Sequence, residues 1–223
     1  VLVSDGSIGT DDVRIEVEGN VMDHQYVARG IADADAMIVV SHVKGHPVGG
    51  AGAALKNVGI GCSSKRGKYN CHDPKTKMVV DLDDCKGKAC DIWEKCEQVC
   101  IEEAITVQDD KMVIDREKCV FCVACLVMCA FWGPNAIHLP DLYRENLLVR
   151  MADSSKAALS TFDEGKVGYI NYLLDITPEC DCFPMSDVSI VPDIGILTSL
   201  DPVAIDEASF EMINQAKGLV GSK

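Results

Sequence analysis

Apolar and polar positions along the first part of the chain predict strands and a short helix. Residues 13–18 alternate apolar and charged side chains, which is typical of a half-buried strand, and Gly19-Asn20 ends it. Residues 25–34 are predicted to form a short helix. Residues 36–40 are continuously apolar, which predicts a central strand buried on both faces. Because ligands gather at the carboxyl ends of such strands in open α/β sheets, the residues that follow are candidates for a site.

The carboxyl-terminal part of the chain shows the same two periodicities. The pattern predicts a helix over 141–159, a strand over 167–174 and short strand segments at 190–191 and 194–197. Asp201 and Pro202 predict the start of a helix, as N-cap and first helical residue, and that helix is expected to run to about Gln215. Asp206 and Glu207 are expected to complement the positive end of the same helix.

A stretch that holds eight of the twelve cysteines contains one motif written twice. Met78-Val79-Val80-Asp81 recurs thirty-four positions later as Met112-Val113-Ile114-Asp115. Each copy then passes through four cysteines and reaches an Ala-Ile pair, at Ala104-Ile105 and Ala136-Ile137. The polar residues 108–111 between the copies predict a hairpin turn. The duplication indicates two halves related by pseudo-twofold symmetry.

The repeated cysteines predict metal ligation rather than disulfides. A chain of 223 residues can bury a substantial core without covalent staples, and cysteines two to five residues apart reach disulfide geometry poorly. The second copy reads Cys119-x-x-Cys122-x-x-Cys125-x-x-x-Cys129, the spacing that bacterial-type ferredoxins use for a 4Fe-4S cluster. Thiolate is the ligand that iron in such clusters prefers.

Ligand sets for two clusters follow from the rule that the fourth cysteine of each motif ligates the other cluster. We expect one cluster at Cys119, Cys122, Cys125 and Cys100, and the other at Cys85, Cys90, Cys96 and Cys129. The first copy spans five more residues than the second, and Ile101 and Ala130 stand where a proline usually follows the fourth cysteine. A degenerate or three-iron site in the first copy, and a pair of zinc sites, are the alternatives.

A second candidate region precedes the repeat. Residues 36–72 contain no Asp or Glu, and Gly49-Gly50-Ala51-Gly52 lies within them. The same residues carry a concentration of basic side chains and histidines: Lys44, Lys56, Lys65, Arg66, Lys68, His42, His46 and His72. Positive charge and close backbone approach suit an anionic ligand, although the spacing is not that of a Walker A loop. The alternative is a flexible basic loop that docks on an acidic neighbour.

Four cysteines lie outside the repeat: Cys62, Cys71, Cys180 and Cys182. The compact Cys180-Asp181-Cys182 motif could form a metal or redox site with one of the three histidines. The alternative is that the histidines are ordinary polar residues and the thiols are simply buried. The candidates for catalysis are therefore His42, Lys44, His46, Lys56, Cys180 and Cys182.

Charge and composition narrow the location and partners. A net charge of −14 argues against nucleic-acid binding. The clustered thiols, and the lack of a secretory signal, favour a reducing cytoplasm and anaerobic handling. Residues 120–137 carry no charge and are about long enough to span a membrane, but their cysteines and the Gly133-Pro134 break argue against a span. Because the chain starts on Val1 and an apolar stretch, we expect it to be a fragment.

The chain resembles the prokaryotic iron-sulfur centre proteins of domain-of-unknown-function family 362. Besides the cysteine repeat, the resemblance is carried by residues 42–46, Gly50, residues 54–59, 66–68, 175–178, 180–182, 192–197 and 201–206. It implies an α/β domain formed by residues 1–77 and 140–223, interrupted at 78–139 by a ferredoxin-like α+β module with two 4Fe-4S clusters. It also implies that family members extend further at the amino terminus, and it implies no settled reaction.

Three functions are compatible with these features. The first is an electron-transfer protein or redox subunit, in which two clusters relay electrons to a redox partner protein within a homo-oligomer or larger complex. The second is an oxidoreductase acting on an anionic substrate or bound metal at the 42–72 and 180–182 loops. The third is an iron-sulfur regulatory or assembly protein. The clusters favour the first, whereas the acid-free basic region favours the second.

Overall fold

The computed structural model describes residues 1–46, 49–72, 79–119, 124–139, 143–182 and 186–219. The chain is a mixed α/β protein that divides into two compact units. The first unit is discontinuous in sequence and consists of Val1–Cys71 and Arg144–Lys223. The second unit is His72–Tyr143, and it contains all eight repeated cysteines.

The secondary structure follows the order of the chain. The strands are β1 (Asp12–Glu16), β2 (His24–Ala28), β3 (Met37–His42), β4 (Lys44–His46), β5 (Gly50–Gly52), β6 (Val79–Val80), β7 (Ile105–Val107), β8 (Met112–Ile114), β9 (Ile137–His138), β10 (Val167–Leu173) and β11 (Gly195–Ser199). The helices are α1 (Arg29–Ala32), α2 (Ala54–Lys56), α3 (Lys65–Cys71), α4 (Trp93–Gln98), α5 (Ala124–Trp132), α6 (Tyr143–Leu159) and α7 (Pro202–Gln215). A π-helical segment, Asn57–Gly61, continues α2, and a 3-10 turn forms at Gly87–Ala89.

A three-stranded sheet in the order β11-β10-β3 organises the first unit. Strand β3 runs parallel to β10, whereas β11 is antiparallel to it. The prediction that β3 is buried on both faces is wrong, since Ile38 and Val40 are exposed while Val39 and Ser41 are buried. The physical reason is that successive side chains of a strand point to opposite faces, and only one face of β3 packs on the core.

The predicted helix over 25–34 is also wrong for most of its length. Residues 24–28 form β2, which pairs antiparallel with β1, and only Arg29–Ala32 is helical. Gln25 is fully buried, where its amide nitrogen donates to Ser63 Oγ at 3.2 Å and to Ser154 Oγ at 2.5 Å. A buried polar residue with distant partners hides the two-residue alternation that would have indicated a strand.

Helix α7 confirms its predicted cap and end. Asp201 accepts hydrogen bonds from the backbone N–H groups of Val203 and Ala204, and the helix ends at Gln215. Asp206 does not have the predicted role, because its carboxylate accepts from Ala54 N at 2.8 Å and from Leu55 N at 2.9 Å. It therefore caps α2, a helix that lies far away in sequence.

The strand pairing of the second unit follows the sequence repeat. Strand β6 pairs with β9, and β7 pairs with β8, so each copy contributes one strand to each pair. The hairpin predicted over 108–111 is confirmed by the pairing of β7 with β8. Asp81 and Asp115 stand at equivalent positions, and each side chain accepts from the backbone N–H two residues ahead, at 2.8 and 2.9 Å.

In the part of the chain that the structure describes, no helix is both long and apolar enough to cross a membrane. Residues 120–123 of the uncharged stretch noted above lie outside that part.

Candidate functional site

The structure brings three of the four cysteines of one predicted ligand set to a single cavity. Cys100, Cys119 and Cys125 line it, together with apolar side chains that include Ile105 and Ile114. Cys100 belongs to the first copy of the repeat, whereas the other two belong to the second. The fourth predicted ligand, Cys122, lies outside the described residues.

The other predicted ligand set is also drawn together. Burial raises the pKa of the Cys96 thiol to about 11, and its neighbours Cys129, Cys90 and Cys85 contribute to the same shift. The helices that carry Cys96 and Cys129, α4 and α5, pack against each other. Cys129 comes from the second copy and the other three from the first. Among the described residues every cysteine is free of disulfides.

Backbone N–H groups point at one sulfur in each copy. Ala104 N donates to Cys100 Sγ at 3.3 Å, and Ala136 N donates to Cys129 Sγ at 3.2 Å. The two alanines are the first members of the repeated Ala-Ile pairs. N–H donors to a thiolate stabilise its negative charge, which is how proteins tune the ligands of iron-sulfur centres. Sequence reasoning did not identify these donors, although the repeat of the Ala-Ile pair marks their positions.

The longer first copy is ordered by a close backbone contact. The 3-10 turn contains Gly87 at φ +52, and a Cβ atom there would lie 2.4 Å from Lys111 N and 2.5 Å from Gln108 O. Lys88 N also donates to Gln108 O at 3.1 Å. The additional residues between the cysteines therefore pack against the β7–β8 turn.

A second candidate site lies at the carboxyl ends of two parallel strands in the first unit. A cavity of about 370 Å³ follows β3 and β10. Besides the apolar Val40 and Ile60, it is lined by polar, charged and small residues: Ser41, His42, Lys44, Gly52, Ala53, Lys56, Asn57, Gly61, Cys180 and Asp181. His42 ends β3, and the loop with Cys180 follows β10. The register pairs His42 with Tyr172, so both segments leave the sheet at the same edge.

The acid-free basic region is not a loop. Where the structure describes it, this region forms β3, the β4–β5 hairpin, α2, the π-helical segment and α3. Two of its charges are paired within the chain, since Arg66 Nη2 lies 2.5 Å from Oδ1 of the buried Asp12 and Lys44 Nζ lies 2.6 Å from Asp181 Oδ2. Asn57 opens the π-helical segment at the cavity, and its amide nitrogen donates to Val40 O at 2.9 Å and to Ser41 Oγ at 3.0 Å. Sequence reasoning missed this residue.

Asp181 is held between two basic side chains. Its Oδ2 atom lies 2.6 Å from Lys44 Nζ and 3.1 Å from His42 Nδ1. Burial raises the pKa of Asp181, but the hydrogen bonds from Lys44 and His42 outweigh it, so the pKa is lowered. The Nε2 atom of His42 faces the carbonyl oxygens of Leu174 at 2.9 Å and Asp175 at 3.2 Å. His42 and Lys44 thus fix the Cys180-Asp181-Cys182 turn.

Cys180 is a buried thiol with two donors. Lys56 Nζ lies 3.4 Å from its Sγ atom, and Cys182 N lies 3.5 Å from it. Burial raises the pKa of Cys180, but hydrogen bonds from Cys182 and the charge of Lys56 reverse the effect, so the pKa lies below its ordinary value. His46 joins this pair, because one ligand atom from each of His46, Cys180 and Cys182 lies within 4.8 Å of the others.

The remaining candidates divide between the core and the second unit. Cys62 is 7% exposed and Cys71 is fully buried. Burial raises the pKa of Cys62 to about 11 and that of Cys71 to about 12. Both thiols are therefore neutral and pack in the interior of the first unit. His72 belongs to the second unit.

Comparisons with curated proteins and with solved structures give no significant match. A protein-family model gives a match that covers most of the chain. The model is described as a domain of unknown function, DUF362, and it matches residues 3–211, so the chain belongs to this family.

Proposed function

We propose that this chain is an iron-sulfur electron-transfer protein or redox subunit whose second unit holds two 4Fe-4S clusters. The observation that carries the proposal is the crossed grouping of the cysteines. Cys100 of the first copy lines one cavity with Cys119 and Cys125 of the second, and helix α5, with Cys129 of the second copy, packs against α4, with Cys96 of the first. Bacterial two-cluster ferredoxins exchange the fourth cysteine between motifs in the same way.

The residues around the cysteines fit such a cofactor. Thiolates are the donors that iron-sulfur clusters require, and apolar side chains, including Ile105 and Ile114, line the same cavity as the cysteines. The N–H groups of Ala104 and Ala136 oppose the negative charge that accumulates on thiolates of a reduced cluster. When bound, each cluster supplies outer-sphere one-electron transfer to and from a partner protein.

The first test is the composition of protein purified without oxygen. We expect about eight iron and about eight sulfide per chain, since two cubanes contain that number. Reduction with dithionite should give the electron paramagnetic resonance signals of two reduced 4Fe-4S clusters. Stoichiometric zinc without sulfide would instead support the zinc alternative and overturn the proposal.

Paired substitutions test the crossed ligation. Cys100→Ala with Cys119→Ala removes two ligands of one proposed cluster, although the residues lie in different copies. We expect that double variant to lose about four iron per chain. The double variant Cys100→Ala with Cys96→Ala changes two residues of the same copy, but each residue belongs to a different proposed cluster. Both clusters should therefore be lost. If the first pair removed both clusters and the second pair only one, the ligands would not be crossed.

The cavity in the first unit supports a second candidate, an oxidoreductase that acts on a small anion. The specific observation is that Lys44, Lys56 and Cys180 line one cavity of about 370 Å³. Asp181 offsets the charge of Lys44, so Lys56 is the lysine that favours an anion, and the thiol beside it supplies a redox-capable atom.

Ligand-dependent stability tests the cavity. Small dicarboxylates or disulfide-containing acids that bind it should raise the melting temperature in a concentration-dependent way. Lys56→Met should abolish the increase, whereas Lys65→Met, a change at an exposed lysine outside the cavity, should preserve it. An unchanged melting temperature with every anion tested would refute the second candidate and leave the cluster proposal intact.

A further inference from the structure

Among the cysteines of the first unit, Cys180 and Cys182 are the two that lie close together in sequence. They stand in one turn, so their Cα atoms are closer than the roughly 7 Å that two extended residues span, within the range a disulfide accepts. Their sulfurs lie within 4.8 Å of each other. Cys180 lines the cavity, and Cys182 is exposed.

We propose that Cys180 and Cys182 form a redox-active dithiol that is oxidised to an intramolecular disulfide by exchange with a small anionic disulfide bound in the cavity. This inference rests on the cavity candidate described above. It does not depend on the clusters of the second unit.

The surroundings assign different roles to the two thiols. Lys56 and the backbone N–H of Cys182 both donate toward Cys180 Sγ, which stabilises the thiolate that attacks a disulfide. Burial and the adjacent Cys180 raise the pKa of Cys182 to about 11, so Cys182 keeps its proton until Cys180 has reacted. Cys180 is therefore the nucleophile, and Cys182 resolves the mixed disulfide.

The exchange balances in atoms and electrons. The Cys180 thiolate attacks one sulfur of the small disulfide, a new S–S bond forms, and the other half leaves as a thiolate with the electron pair. Cys182 then attacks Cys180 Sγ and expels the second half, and its proton passes to one of the two released thiolates. One small disulfide becomes one thiol and one thiolate, and two electrons pass to it from the cysteine pair.

A single metal ion is the competing occupant of these residues, and two observations disfavour it. His46 Nδ1 accepts a hydrogen bond from Gly49 N at 2.8 Å, so ligation of a metal through Nδ1 would cost that hydrogen bond. The Lys56 ammonium lies 3.4 Å from Cys180 Sγ, where it repels a cation. The same ammonium attracts an anionic disulfide.

A redox titration of the whole protein tests the dithiol. Anaerobic samples are equilibrated in mixtures of reduced and oxidised dithiothreitol, quenched, alkylated and digested with trypsin. The peptide from Val167 to Lys217 contains Cys180 and Cys182 and no other cysteine, so it reports on this pair alone. We expect it to pass from two alkyl groups to none in one two-electron transition. Two alkyl groups at every mixture would overturn the proposal.

Charge selectivity tests the bound substrate. Dithiodiglycolate is an anionic disulfide, and cystamine is a cationic disulfide of similar size. Dithiodiglycolate should oxidise the pair at least about tenfold faster, and Lys56→Met should remove that preference. Equal rates for the two probes would overturn the anionic substrate. Cys182→Ser should stop at a mixed disulfide on Cys180, and failure to trap it would overturn the assigned order of attack.

The same samples separate this proposal from its competitors. Zinc or iron that binds one-to-one at Cys180 and protects both thiols from oxidation would establish a metal site and overturn the dithiol. Iron and sulfide content reports on the second unit independently. Protein purified without oxygen that contains neither iron nor sulfide, but still shows the two-electron transition, would refute the cluster proposal while supporting the dithiol.

Discussion

The backbone N–H of Ala136 donates a hydrogen bond to Cys129 Sγ at 3.2 Å, and Ala104 makes the same contact with Cys100 at 3.3 Å. The sequence repeat therefore extends to individual hydrogen bonds. Each alanine stands immediately before the second strand of its copy and returns its N–H to the last cysteine of that copy. A duplicated sequence has kept the same local geometry twice.

Glu103 precedes Ala104 and has φ +49, a left-handed conformation that costs an L-residue about 1 kcal/mol or more. We expect Glu103→Gly to raise the free energy of unfolding by about 0.5 kcal/mol, because relief of strain outweighs the added freedom of the unfolded chain. Asn135, at φ +57, should gain less on the same change because asparagine tolerates this region. Chemical denaturation of oxygen-free samples measures the difference. Glu102→Gly, without a positive φ, should be destabilising, and a gain there would contradict the explanation.

Gly87→Ala should disorder the first copy of the repeat. The added Cβ would meet Lys111 N at 2.4 Å and Gln108 O at 2.5 Å, contacts that require the backbone to move. We expect a loss of about 2–3 kcal/mol in stability and of about four iron per chain. Gly165→Ala is the matched control, since Gly165 has φ +75 but open space around its Cβ position. Equal effects at the two glycines would show that the positive φ, rather than the close backbone contact, makes alanine unfavourable at position 87.

Asp206→Ala should destabilise the first unit strongly. The substitution leaves the N–H groups of Ala54 and Leu55 without their acceptor and removes a partner 2.9 Å from Asn171 Nδ2. We expect a loss of about 2–3 kcal/mol in urea denaturation, because buried donors without acceptors are costly. Glu207→Ala, at the exposed neighbouring position, should change the stability by less than about 0.5 kcal/mol. Similar losses for both variants would mean that α7, rather than the cap of α2, is affected.

Alkylation of Cys180 should persist to lower pH than alkylation of an ordinary thiol. The pKa of Cys180 is lowered, because the hydrogen bonds from Cys182 and the charge of Lys56 outweigh the effect of burial. A lowered pKa means that the reactive thiolate is present below the usual midpoint near 9.0 and is lost only as pH falls through the shifted value. The rate of iodoacetamide addition to the peptide from Val167 to Lys217, followed against pH in the Cys182→Ser variant, measures the midpoint.

Lys56→Met should move that midpoint upward, whereas Lys65→Met should leave it in place. An unchanged midpoint in Lys56→Met would show that the ammonium does not stabilise the thiolate.

Sequence patterns identified those elements whose signals are local. Asp201 and Pro202 start α7 because capping and proline geometry act within one turn. The hairpin between β7 and β8 follows from polar residues between two apolar runs. Strand β2 was missed because the buried Gln25 takes its partners from Ser63 and Ser154, which no local pattern reveals.

In the candidate sites, too, the sequence predicts local features but not contacts between distant residues. Spacing and the crossed-ligand rule of bacterial-type ferredoxins grouped the cysteines into two sets, and the structure places Cys100 with Cys119 and Cys125 at one cavity. The contact between Lys56 and Cys180 joins residues 124 positions apart, so it depends on the fold as a whole. The role of Asp206 was also inaccessible, because a carboxylate in the first turns of a helix usually serves its own helix.

The parallel pairing of β3 with β10 has a consequence for biosynthesis. Translation must pass through the whole second unit between these strands, which takes roughly 6–25 s at about 5–20 residues per second. During that interval the edge of β3 that will pair with β10 is unpaired and can associate with a wrong strand. Val39, which the folded chain buries, is also uncovered. The cysteine unit, being continuous in sequence, can mature on the ribosome before the sheet of the first unit exists. Supply of iron and sulfide during translation should therefore influence the yield of the whole chain.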